Sequence, residues 1–531
     1  MPSDAPQPLR RGGRATGTIS APDNARVSAV VSAGNGYRSV PIVEDRSLRM
    51  VEPARPVLIQ GGMGVAVSSW PLARAVSTAG QLGVVSGTAL DAVLARRLQD
   101  GDPDGHLRRA LDHFPIPEMA GRVQARFFRP GGRAAGKPYV PIPKPSLQPS
   151  RASLELAVVG NFVEVWLAKE GHQGLVGINY LEKVQMSTLP AVYGAMLAGV
   201  DYVLMGAGIP REIPQVLDRF AGHQSARLSV DVHGADAPHV MELDPAALLG
   251  CVLPPPRRPE FLAIVSAHVL ATFLARDDAT RPDGFVVEGP RAGGHNAPPR
   301  GRLVLDDEKQ PVYGPRDDAD LAKIAALGLP FWLAGTYGTP DRVTAALASG
   351  AAGVQVGTVF ALSRESGFSP DVRAQLQRRL AQGTLRVLTD AFASPTGFPF
   401  KVAQLSDTLA EDARYAERAR LCDLGYLRTP YVRDDGSVGY RCASEPVPIY
   451  VRKGGAIEDT VGRKCLCNAL TANVGLAQTR RGGYTEAPLV TLGEDLTGAR
   501  SLMALYPSGW TARAAVEWLL GGLPGRAAGS A

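Results

Sequence analysis

Long apolar runs are missing from this chain of 531 residues, and none approaches the ~18 uninterrupted apolar residues that a membrane span requires. Clusters of like charge are missing too. The 57 basic and 51 acidic residues leave a net charge of only +6, with no basic run of five or six. Nucleic acid and membranes are therefore not expected partners. Cysteine is scarce at five residues, too few for a disulfide scaffold of this size. Aromatics are sparse at 6%. The N-terminal stretch carries Arg10, Arg11 and Arg14 without an apolar core behind them, so it lacks the form of a secretory signal. A cytoplasmic protein is expected. What is plentiful is turn-forming residue, 59 Gly and 43 Pro, on a background that is 45% hydrophobic. That composition describes a globular core with many short connections.

Those connections separate a recurring pattern. Short apolar runs, each of the length of a buried parallel strand, alternate with amphipathic stretches. The runs are VLIQGGM, LGVVSG, LVGINY, DYVLMGA, FLAIVSA, GFVVEGP, PFWLAGT and GVQVGTV. Helical patterns follow them, such as SSWPLARAVSTAG, with Ser68 or Ser69 as N-cap and Gly80 as stop, and a further helix that Asp91 is expected to cap. Eight such units predict an α/β fold of the (β/α)8 TIM-barrel type over residues 51–365. Residues 1–50 read as a mostly disordered tail. Two insertions interrupt the barrel, a Pro/Gly-rich one at about 113–153 that breaks helix and strand periodicity, and a small β insertion at about 226–258. Residues 366–531 read as a helical and cysteine-containing C-terminal extension, with helices expected in SPDVRAQLQRRLAQG and TLAEDARYAERARL.

In a barrel, reactive groups sit at the C-terminal ends of the strands, and the last two loops often hold phosphate. Here these are Ala334-Gly335-Thr336 and Gln355-Val356-Gly357-Thr358, with Pro340 and Asp341 opening the helix after the first. Glycine lets backbone N–H groups approach an anion, and a helix N-terminus favours one. Two ordinary strand–helix turns would carry the same residues. Gly61-Gly62-Met63-Gly64 after the first strand would let a flat ligand lie against backbone, or would simply make a tight turn. The clearest chemical signal is Glu288-Gly289-Pro290-Arg291-Ala292-Gly293-Gly294-His295-Asn296, which puts a histidine over the barrel mouth in a glycine-rich loop. Histidine titrates near neutrality and is the usual general base. His172, His223, His233, His239 and His268 have no such framing and read as surface or packing residues.

IQGGMG, RAGGHN and AGTYGTPDRVTAALASGAAGVQVGTVFALSRES together resemble the nitronate monooxygenase family, formerly the 2-nitropropane dioxygenases, over roughly Pro56 to Glu365. Similar motifs occur in FMN-dependent enoyl reductases of polyketide and polyunsaturated fatty acid synthases. EKVQMSTLPAVYGAMLAGVDYVLMGAGIP and the long C-terminal extension resemble that larger branch. The resemblance implies a non-covalent FMN bordered by Gly61, Gly62, Met63, Gly64, Gly293 and Gly294 and bonded by Asn179. Its phosphate would lie on Ala334, Gly335, Thr336, Gln355, Gly357 and Thr358, and His295 matches the family's catalytic histidine. The implied activity is oxidation of an alkyl nitronate with O2 to a carbonyl compound and nitrite. Its alternative is NAD(P)H-dependent reduction of an enoyl substrate, free or presented by an acyl carrier protein, and a third is a flavin-binding partner subunit without turnover; a homodimer is a further expectation. The chain departs from the family pattern after the histidine, where it reads Asn296-Ala297-Pro298-Pro299, and at Pro290, Arg291, Thr336 and Tyr337.

Cys422, Cys442, Cys465 and Cys467 gather in one stretch of an otherwise cysteine-poor chain. Four thiolates could hold a structural zinc or an iron–sulfur cluster. Only the C-x-C pair is closely spaced, and small buried hydrophobes would account for the same residues.

Overall fold

The eight apolar runs form one parallel sheet. In the computed structural model, which describes residues 55–251 and 253–523, they are β1 (Leu58–Gln60), β2 (Gly83–Ser86), β3 (Val176–Leu181), β4 (Tyr202–Gly206), β5 (Glu260–Val265), β6 (Gly284–Glu288), β7 (Phe331–Ala334) and β8 (Gly353–Val356). The tail expected over residues 1–50 lies outside the described residues. Neighbours pair in chain order from β2 to β8, and β8 pairs with β1 through Leu58 with Val354 and Gln60 with Val356. A bridge between Ile59 and Leu82, with Gln60 N–H donating to Leu82 O at 2.9 Å, joins β1 to β2 and closes the ring. The fold is a TIM barrel. Its interior is packed with side chains rather than open, Ile59, Val84, Leu204, Leu262, Val286 and Trp332 all being fully buried.

Each strand leads into a helix on the outside, for example Trp70–Thr78 after β1, Thr188–Leu197 after β3 and Pro340–Ala348 after β7. The first of these starts after Ser69 and ends before Gly80, whose φ of +77° suits only a residue without a Cβ. Asp91 does not cap the helix Leu90–Gln99. That position falls to Ala89, while Asp91 sits inside the first turn, buried and bonded to the Tyr426 hydroxyl of the C-terminal extension. Burial against this partner, rather than capping, explains the acid.

The β2–β3 connection is helical where broken periodicity had been expected. Pro117–Phe127 is a helix with Met119, Ala120, Val123 and Phe127 buried, and only the segment beyond it to Ser150 is irregular. Its Pro sits in the first turn, where a missing N–H costs nothing. Arg151–Lys169 then runs almost wholly buried between barrel helices. Between β4 and β5 lies an antiparallel hairpin, Ala226–Val230 with His239–Leu243. In the C-terminal extension Pro370–Ala381 is a helix, but the stretch expected to be helical around residue 412 supplies only Asp412–Ala416. No helix of the described residues is long and apolar enough to cross a membrane.

Candidate active site

The C-terminal ends of the strands surround a cavity of about 240 Å³. Gly61, Gly62, Met63, Gly64, Asn179, Gly293, Gly294, His295, Ala334, Gly335, Thr336, Gln355, Gly357 and Thr358 all line it. The structure thus gathers the whole set expected for cofactor and catalysis around one space.

The turn after β1 is pinned from beneath. Buried Gln60 accepts from Val84 N–H at 3.0 Å and donates from Nε2 to Ser68 Oγ at 2.8 Å. Ser68 in turn accepts from Met63 N–H at 2.9 Å and donates to Gly61 O at 2.9 Å. Asn179, at the end of β3, donates to Gly62 O at 3.0 Å. The approach is so close that a Cβ on Gly62 would stand 2.3 Å from that of Asn179. Glycine is required there on contact grounds.

Two polar atoms on this floor are buried without partners, Asn179 Oδ1 and Gln355 Oε1. Buried acceptors without donors are costly, and both become satisfied if a ligand bearing N–H groups lies over the Gly61–Gly64 turn. The fit to an isoalloxazine is good: a glycine floor for a flat ring and unsatisfied amide oxygens for its edge. At the far end, Gly335 takes a φ of +118°, and the helix Pro340–Ala348 and the turn Thr358–Ala361 begin beside it. Free backbone N–H groups there suit a phosphate. Arg342 reaches Thr336 Oγ1 at 3.3 Å from the surface.

The reaction end is built of side chains. The loop after β6 is held against the C-terminal extension by three backbone-anchored bonds: Gly294 N–H to Thr491 Oγ1 at 2.8 Å, Lys401 N–H to Gly294 O at 2.9 Å, and Asn296 N–H to Pro399 O at 2.9 Å. His295 is thereby fixed with Nε2 2.8 Å from Ser394 Oγ, which bonds on to Thr396 Oγ1 at 2.7 Å. The edge of Phe400 meets its ring at a centroid distance of 4.9 Å. The half-buried imidazole lines the cavity, and desolvation lowers its pKa to about 4. Glu288, the last residue of β6, is pushed the other way, up to about 8, by the same cause. At neutral pH both groups are uncharged.

Sequence reasoning missed one wall. Phe400, Leu470, Thr491, Leu492, Gly493, Asp495 and Gly498 line the same cavity from the C-terminal extension. Gly493 N–H donates to Thr358 Oγ1 at 2.9 Å, and a Cβ on Gly498 would collide with Gly338 O at 1.8 Å. Their only sequence signal is glycine where backbones touch. Buried Lys401 stands behind this wall, bonded to Thr389 Oγ1 at 2.5 Å and Glu494 Oε2 at 2.7 Å.

The metal reading of Cys422, Cys442, Cys465 and Cys467 is not supported. All four border one cavity, but it measures about 10 Å³, room for roughly one water and none for an iron–sulfur cluster. Among the described residues no group of three or more His, Cys, Asp or Glu side chains is placed to hold a metal ion. Burial raises the thiols of three of them, Cys467 to about 11, Cys442 to about 12 and Cys465 well above its ordinary value. They pack as small hydrophobes.

With this geometry in view, residues 260–394, which include β5 to β8 and the His295 loop, match the model of the nitronate monooxygenase family. The resemblance seen in the sequence stands over that segment, and it supports an oxidoreductase. No curated protein matches the chain. Among solved structures, FabK from Thermotoga maritima is 16% identical, with 88% of this chain and 92% of that chain covered and a TM-score of 0.45. A nitroalkane oxidase from Streptomyces ansochromogenes is 16% identical over 88% of this chain and 95% of that one, with a TM-score of 0.41. The enoyl reductase domain of MlnA from Bacillus amyloliquefaciens is 12% identical over 66% and 64%, with a TM-score of 0.33.

Proposed function

We propose that the protein is an FMN-dependent oxidoreductase that reduces an activated carbon–carbon double bond, as in an enoyl thioester, with electrons from NAD(P)H. One observation carries this reading: among the described residues no Lys or Arg side chain borders the cavity, and its reaction end offers a neutral carboxyl and a neutral imidazole. An anionic substrate would lose its hydration there without gaining a cation, whereas a neutral enoyl group loses little. When bound, FMN supplies the hydride chemistry. The chain's own residues do the rest. Asn179 and Gln355 present acceptors to the ring edge, the Gly335 and Gly357 turns present N–H groups to the phosphate, and Phe400 and Leu492 keep water from the reacting atoms. His295, anchored through Ser394, hydrogen-bonds the polar end of the substrate.

A second reading, oxidation of an alkyl nitronate with O2, is favoured by the family match over residues 260–394. In it the neutral His295 acts as a base towards the parent nitroalkane. An anaerobic titration of the FMN-loaded protein separates the two. Bleaching of the flavin band by NAD(P)H and its recovery on adding an enoyl thioester are the outcome expected. Bleaching by nitronate alone would reverse the order of the two readings, and no band after adding FMN would sink both.

A further inference from the structure

Beside the main cavity lies a second of about 30 Å³, room for about two waters, bordered by Ser266, Asn296, Arg300, Tyr313 and Asp317. Glu288 is the one residue that borders both spaces. It stands at the C-terminal end of β6, where barrel strands place reactive groups, and among the described residues no side chain makes a hydrogen bond or ion pair to it. Glu288 is half-buried, and desolvation of a carboxyl without a partner favours its neutral acid form. The side cavity differs in kind: its Asp317 accepts from Arg300 N–H at 2.7 Å, its Tyr313 hydroxyl donates to Ala297 O at 3.0 Å, and both lie near solvent.

We propose that Glu288 is the proton donor of the reduction, recharged with protons through the side cavity of Arg300, Tyr313 and Asp317. The assignment rests on the enoyl-reduction reading and adds to it the residue that completes the chemistry. Hydride addition to the β-carbon moves the double-bond electrons onto the thioester carbonyl. The O–H bond of Glu288 then breaks as a C–H bond forms at the α-carbon, and the carboxylate regains its proton from water in the side cavity. The electron pair comes from NAD(P)H and the proton from solvent, so one of each is consumed per double bond. His295 is the poorer acid, because its Nε2 is engaged by Ser394 Oγ at 2.8 Å and desolvation lowers its pKa to about 4. Asp495, the other carboxyl of the main cavity, is tied as an acceptor to Thr497 N–H at 2.9 Å beside the phosphate turns.

The test uses the FMN-loaded full chain, reduced with dithionite under argon and mixed with a short 2-enoyl thioester, comparing wild type, Glu288→Gln and Glu288→Asp. Flavin re-oxidation should slow by on the order of 10²–10⁴-fold in Glu288→Gln and recover in part in Glu288→Asp. The wild-type rate should fall as pH rises through about 8, the value burial imposes on Glu288, and the Gln variant should lose that limb. The charged and titratable side chains that share the two cavities with Glu288, namely Tyr180, His295, Tyr337 and Asp495 in the main one and Arg300, Tyr313 and Asp317 in the side one, are unchanged in both variants. An unaltered rate and pH limb in Glu288→Gln, with wild type active, would overturn the assignment and leave the reductase reading intact. Wild type that fails to re-oxidise would overturn the reading, and the donor role with it. Infrared difference spectra of wild type against Glu288→Gln separate the cases, since a neutral carboxyl band at pH 7 is expected from Glu288 whatever the substrate, and its absence would refute the assignment directly.

Discussion

The two ends of the cavity are built from different materials. The end proposed for the phosphate is backbone: the Gly335 turn, the start of Pro340–Ala348 and the Thr358 turn present N–H groups whose polarity does not depend on pH. The reaction end is side chain: Glu288 and His295 owe their chemistry to the water kept away from them. Binding is thus written into chain path, while reactivity is written into desolvation. The first should yield to an added charge and the second to anything that lets water in.

The largest effect on cofactor binding should come from the backbone end. A Cβ at Gly357 would make only ordinary contact with Met63 Sδ at 3.6 Å, and its φ of −104° suits any residue. Gly357→Ala should therefore keep FMN, while Gly357→Asp should weaken it on the order of 10²–10³-fold through carboxylate–phosphate repulsion. Equal flavin content in the two purified variants would show that the phosphate lies elsewhere. At the other end, His295→Ala should lower turnover on the order of 10²-fold with FMN retained, read from kcat beside the flavin spectrum. Loss of flavin in step with activity would move His295 from the reaction end to the binding end.

Stability should register the same division with opposite signs. Glu288 has a folded pKa raised from 4.5 to about 8, so the folded protein binds the extra proton across that window and stability falls as pH rises through it. His295, lowered from 6.5 to about 4, makes stability rise with pH across its own window. The two oppose one another below pH 6.5, and only Glu288 acts between 6.5 and 8. Melting temperatures of wild type should drop over that upper interval more than those of Glu288→Gln, and parallel curves would deny the carboxyl its buried state. The smallest effect is expected at Arg342, exposed and reaching Thr336 at 3.3 Å. Arg342→Ala should change FMN affinity by no more than a few-fold, as exposed charges contribute about 1 kcal/mol or less. A greater loss by equilibrium dialysis would mean that the phosphate end does rely on a side chain.

The barrel was legible because each strand is a short apolar run, most of them with glycine at or near the end, the signature of a strand buried on both faces. VLIQGGM and GVQVGTV needed no distant information to be read as strands. The residues expected to face FMN were legible for the same local reason, since they sit at or near the ends of those runs. The closing wall was not. Phe400, Thr491 and Gly498 reach the cavity from more than a hundred residues beyond His295, and ordinary residues at such separation carry no periodic or spacing signal. Asp91 failed as a cap for a related reason: a polar residue at a helix start looks alike whether it binds its own backbone or a tyrosine of a remote segment. The helix Pro117–Phe127 was hidden by neighbouring prolines, although its own proline sits where helices tolerate one.

The loop bearing His295 is gripped by Pro399, Lys401 and Thr491, all of which follow it in the chain. The eight strands are complete at Val356, but the cavity lacks a wall until Gly498 has been made. Synthesis runs from the N-terminus, so a nascent barrel must pass through an interval in which its strands are paired and its site still stands open to water. A flavin met during that interval would find the glycine floor but no cover. On the proposed FMN reading, retention of cofactor would report that the chain has been made and docked as far as Gly498, and a chain arrested after the barrel would be folded in outline and empty of colour.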